Sequence, residues 1–164
     1  MPGELTEAPI GRALVLGLGN ILLRDDGIGV HVVQALGARR PDPQVTLRDG
    51  GTIGLALLSD IEESASLIAV DAMELGEDPG TVRTYVGPEM DRHLSGKKRT
   101  AHEVALADLI AAARLTGVAP ERRALVAIQP ASIEWGLDPT DAVRAAIPSA
   151  CDAVCSLVED WTNG

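Results

Sequence analysis

Asp26, Asp71 and His102 are the residues of this sequence whose types and positions best suit chemistry. Asp71 interrupts the apolar run SLIAVDAM (66–73) near its end, where a buried strand would emerge. A carboxylate there is costly to desolvate, so it either meets a charge or donor in a site or caps a nearby loop. His102 stands in the first turn of a helix announced by Thr100-x-x-Glu103, a capping-box pattern. The positive end of a helix dipole disfavours imidazolium, so a neutral, metal-competent His102 is expected; a solvent-facing one is the plain alternative. Asp25-Asp26 follows the first apolar run. Charge at a helix N-terminus explains one acid of that pair, but not readily two adjacent ones. Two carboxylates and an imidazole form an O/O/N set suited to a first-row divalent metal.

Other chemistries are less well supported. GLGNIL (17–22) begins like a dinucleotide-binding G-x-G-x-x-G, and Asp49 closes the next strand as a ribose-binding acid would. Position 22 is Leu instead of the third glycine, and two acids precede Gly27, where they would repel a phosphate. No G-x-S-x-G motif or Cys–His pair suggests a covalent nucleophile. Cys151 and Cys155 are four apart on a helical segment, which reads as two small core residues.

The elements that must position these groups alternate along the chain. ALVLGLGN (13–20), SLIAVDAM and ALVAIQP (124–130) are continuous apolar runs, as expected of strands buried on both faces of a parallel sheet. VTLRD (45–49) is a shorter strand, and the alternating TVRTYV (81–86) suits an antiparallel edge. Helices are expected from about Ile28 to Leu36, ended by Gly37; across Leu55–Ile61; from Ala101 to Leu115; and from Asp138-Pro139 to about Trp161. Pro148 should kink or split the last of these. The segment 87–100 reads as a polar loop holding His93, which with His31 is left out of the site. These elements predict a three-layer α/β/α sandwich around a twisted, mostly parallel sheet of about five strands. Ligands in such sheets gather beyond the carboxyl ends of the strands. Asn20, Asp25, Asp26, Asp49, Asp71 and Gln129 all fall there.

The 164 residues fit one domain over 12–164 behind a flexible acidic leader, 1–11. A net charge of −10 and only two Trp and one Tyr exclude phosphate-backbone and base-stacking partners. No signal peptide or membrane-length apolar run is present, so a cytoplasmic protein is expected.

Residues 13–36, GLGNILLRDDGIGVHVVQAL at their centre, resemble the N-terminal signature of the hydrogenase maturation endopeptidases. The likeness continues in register through DGGTIGLALL (49–58), LIAVDAM (67–73), AHEVALADLI (101–110) and the AIQP…GLDP stretch (127–139). It implies a nickel-dependent protease that trims the C-terminus of a [NiFe]-hydrogenase large-subunit precursor. The family's metal-contacting positions fall on Asp26, Asp71 and His102; some members have Glu where this chain has Asp26. The resemblance further implies that nickel arrives installed in the substrate, with Cd or Zn able to substitute in vitro. Asp26 or Asp71 would activate a water as general base, or nickel would polarise the scissile carbonyl. Asp49 and Asn20 are secondary candidates, and Lys97-Lys98-Arg99 is a candidate contact for the precursor. A non-cleaving nickel-checking escort and a nucleotide-binding protein are the competing readings.

Overall fold

The computed structural model describes residues 12–51, 56–96 and 100–163. The proposed leader 1–11 and the basic triplet Lys97-Lys98-Arg99 lie outside these residues. Five strands form one sheet: β1 (Ala13–Gly17), β2 (Val45–Asp49), β3 (Ser66–Ala72), β4 (Val82–Val86) and β5 (Arg122–Ile128). Their order is β2-β1-β3-β5-β4, with β4 antiparallel to β5 at one edge and every other pairing parallel. The helices are α1 (Ile28–Ala38), α2 (Ala56–Glu62), α3 (Pro88–Leu94), α4 (Ala101–Leu115), α5 (Asp141–Arg144) and α6 (Ile147–Asn163).

Strand alternation sorts the core into two layers. Val15, Ile68 and Val70 point toward α1 and α6, packing on Val32, Leu36 and Val154. Leu14, Leu16, Leu67 and Ala69 point the other way, onto Ile61, Met90 and Leu106 from α2, α3 and α4. Aliphatic side chains dominate both layers, joined by Cys151 in the first and by Met73 and Met90 in the second, and each buried Leu, Ile or Val contributes ~2 kcal/mol. Asp71 shares the parity of Leu67 and Ala69 and so faces the α4 layer, although it is fully buried. That parity brings a strand-end carboxylate under the start of the helix carrying His102.

Several local expectations shift. The segment read as a loop over 87–100 contains α3, entered through Gly87 (φ 59°) and Pro88. Only Met90 and Leu94 are buried there, four apart, a pattern too brief to stand out in the sequence. Gly37 does not end α1, which runs to Ala38; Arg40 takes the left-handed turn (φ 53°) that Gly37 was expected to supply. The C-terminal helix is divided into α5 and α6, with Pro148 in the first turn of α6, where a missing N–H is tolerated. Among the described residues, no helix is long and apolar enough to cross a membrane.

Candidate active site

The chain turns away from the sheet at Gly17 and re-enters through a short 3-10 turn, Arg24–Gly27, before α1. β1 leads to β2 on one side and β3 leads toward β5 on the other, so their carboxyl ends form the switch-point crevice of the sheet. Glycines make the junction compact. A Cβ on Gly17 would lie 2.4 Å from Gly29 O, and one on Gly19 (φ 108°) would lie 1.8 Å from Asp26 O. The GLGN glycines therefore serve backbone packing. The Asn20 N–H, the kind of donor a nucleotide phosphate would need, instead donates to Asp26 Oδ2 at 2.9 Å.

The crevice joins Asp26, His102 and Asp71. His102 Nε2 lies 3.3 Å from Asp26 Oδ1, and Nδ1 lies 3.2 Å from Asp71 Oδ2 and 3.0 Å from Thr100 Oγ1. Thr100 closes the predicted capping box, accepting from Glu103 N while Glu103 Oε2 accepts from Thr100 N. Neither oxygen of the fully buried Asp71 has a hydrogen bond of good geometry among the described residues. Burial pushes the Asp71 carboxyl up to about 7 against the opposing pull of His102. Burial alone would lower His102, but hydrogen bonds and charge from Asp26 and Asp71 raise it to about 10. Near neutral pH the three groups thus hold a protonated imidazole between carboxyls. The two flanking carboxylates favour the charged ring, a pull opposite to that of the helix N-terminus considered from the sequence. For Asp26, burial also raises the pKa, but His102 and the Asn20 amide lower it overall.

Asp25 has a different task from its neighbour. It is fully buried, and its carboxylate accepts from Ala131 N, Ser132 N, Thr140 N and Thr140 Oγ1 at 2.7–3.0 Å. Burial opposes its charge, yet these donors hold its pKa below the usual carboxylate value. The pair is therefore one staple and one site acid, a division the sequence suggested only as two acids where one sufficed.

The secondary candidates fall outside the trio. Asn20 caps its own loop, with Oδ1 accepting from Leu22 N, and Asp49 is exposed, accepting from Gly51 N at 2.8 Å. Gln129 is buried just beyond β5 and fastens the loop after β3 by accepting from Leu75 N at 2.6 Å. A cleft of about 570 Å³ opens beside the trio, lined by Asp26, Thr100 and Glu103, by Arg92 and His93 of α3, and by Ile133. His93 is exposed, as its sequence setting suggested, and it stacks on Tyr85 (centroids 3.6 Å apart) while lining the cleft. Among the described residues, no three or more His, Cys, Asp or Glu are arranged around a common ion position.

An acid–imidazole–acid group at the switch point of a doubly wound sheet defines an α/β protein with a polar site at its carboxyl edge. A family model described as hydrogenase maturation protease matches residues 30–157. The chain is 37% identical to a hydrogenase expression/formation protein, HupD, of Rhizobium leguminosarum bv. viciae, covering 98% of this chain and 81% of that one. It is 38% identical to the hydrogenase 2 maturation protease of Escherichia coli, covering 91% and 92%. The solved structure of the hydrogenase maturating endopeptidase HybD from E. coli superposes with a TM-score of 0.83 at 37% identity, over 91% and 93% of the two chains. This chain belongs to the hydrogenase maturation protease family.

Proposed function

We propose that the chain is an endopeptidase that removes the C-terminal extension of a [NiFe]-hydrogenase large-subunit precursor once nickel is in place. The observation that best supports this reading is the convergence of Asp26, His102 and Asp71 beside the cleft, on a chain of the maturation protease family. Two carboxylates and an imidazole suit a borderline divalent ion, and the buried Asp71 oxygens lack the hydrogen bonds that would otherwise satisfy them. Asp26, Asp71 and His102 would contact nickel carried by the substrate, which would supply charge stabilisation at the scissile carbonyl.

Asp26 is the member of the trio that lines the cleft, which suits it to accept a proton from an attacking water. Asp71 lies behind it and, through His102, governs how much positive charge remains at the cleft floor. Contact of all three with one ion requires the imidazole to lose a proton and to leave its resting position between the two carboxylates, so the resting ion pair would open only when a competing cation arrives with the substrate.

Mass measurement of a nickel-loaded precursor incubated with the chain tests the reading. A product shortened at its C-terminus, formed only with nickel present, is expected. An intact precursor bound to the chain would replace the protease with a non-cleaving escort.

A further inference from the structure

Two loops, one delivering Asp26 and one carrying Ile133 from the cleft wall, expose large apolar side chains. Ile21 and Leu22 lie in the loop that delivers Asp26, and Ile133, Trp135 and Leu137 lie in the loop after β5. Trp135 is 76% exposed, Leu137 66% and Ile133 59%. The loops are bonded as one platform: Gly136 N donates to Leu22 O, Arg24 N donates to Gly136 O, and Asp25 N donates to Ser132 O, at 2.9–3.1 Å. The Asp25 carboxylate fastens the second loop at both ends, through Ala131 and Ser132 and through Thr140. Exposed apolar groups on a surface so firmly ordered signal a contact face, and Trp is the residue type most enriched where protein contacts concentrate their energy.

The occupant follows from continuity with the cleft. Ile133 and Asp26 line the same cleft, whose volume of about 570 Å³ holds a short peptide segment and not a folded body. Ile133 continues along its loop into Trp135 and Leu137, so a folded protein with a segment in this cleft would bring its neighbouring surface over that loop. We propose that Ile21, Leu22, Ile133, Trp135 and Leu137 form the docking surface for the folded body of the precursor, which presents a complementary apolar patch beside its extension. This inference rests on the reading that the substrate is a folded protein processed at this cleft.

Two measurements test it with a panel of nickel-loaded large-subunit precursors. In a Trp161→Phe chain, Trp135 is the single tryptophan, and its emission should shift to the blue when a precursor docks. In the processing assay, Trp135→Ser combined with Leu137→Ser should raise KM about tenfold. Leu115→Ser, at a leucine still more exposed at the far end of α4, should leave KM unchanged. An emission shift without cleavage by the native chain supports the docking surface and overturns only the protease reading. The docking proposal is overturned by an unchanged KM in the double variant, or by no shift with any precursor. It is equally overturned by sedimentation showing a native dimer that Trp135→Ser dissociates, which would assign the patch to a second copy.

Discussion

His102 Nε2 lies 3.3 Å from Asp26 Oδ1 although 76 residues separate them in the chain. With Nδ1 held 3.2 Å from the buried Asp71, the imidazole joins the loop after β1 to the end of β3 from the first turn of α4. Three elements are thus registered by one ring, and its removal should be felt in activity before stability. His102→Gln and Asp26→Asn are expected to slow processing at least about a hundredfold while leaving the far-ultraviolet circular dichroism unchanged. Normal processing by both variants would remove the trio from the reaction.

Asp71 should separate function from stability. Its charge is fully buried without a well-formed hydrogen bond, and its pKa is raised by burial, so folding works against its ionisation. A carboxyl raised in the folded state costs stability as pH climbs from its unfolded value of 3.8 toward about 7. Asp71→Asn removes that cost together with the pull of Asp71 on His102, so the unfolding free energy at pH 7.5 should change by no more than about 1 kcal/mol while processing is lost. A sharply lowered Tm would show that the charge is structural.

Asp25 predicts the opposite balance. Asp25→Ala would leave the Ala131, Ser132 and Thr140 amides without their shared acceptor, at a cost of about 2–3 kcal/mol in denaturant unfolding. Thr140→Val removes only the hydroxyl bond and should cost about 1 kcal/mol. If the two variants were equally mild, the latch would not be holding the loops.

What the sequence disclosed and what it hid divide along contact distance. Asp71 was legible because a carboxylate in an apolar run is costly wherever the strand ends, and Thr100 and Glu103 because a capping box is local. The sheet followed from continuous apolar runs against one alternating run, since burial on both faces and exposure at an edge leave different periods. Asp25 could not be told from Asp26: its partners lie more than 100 residues away, and adjacent acids look alike until one is covered. The carboxylates that raise the His102 pKa were hidden for the same reason, because the helix N-terminus is local to it and Asp26 and Asp71 are not. α3 escaped because two buried residues make too short a period.

Asp91 gives the acid limit of the fold. Its carboxylate takes a two-pronged contact from Arg123, Nε to Oδ1 at 2.9 Å and Nη2 to Oδ2 at 2.6 Å, and a third from Arg114 at 3.0 Å. α3 is thereby tied to β5 and to the end of α4, around the cleft wall that carries Arg92 and His93. The bonds from Arg123, with its charge and that of Arg114, outweigh burial and hold the Asp91 pKa below 3.8. Because the folded value is the lower one, the stabilisation is complete above the unfolded pKa and is lost as pH falls through the folded value. Asp91→Asn should therefore lower Tm at pH 7, whereas the difference from the native chain should shrink steadily below about pH 4. Thermal unfolding across pH 2.5–7 measures both limbs. A difference that stayed constant down to pH 2.5 would mean that Asp91 supports α3 through packing alone, and the ion pair would have no part in holding the cleft wall.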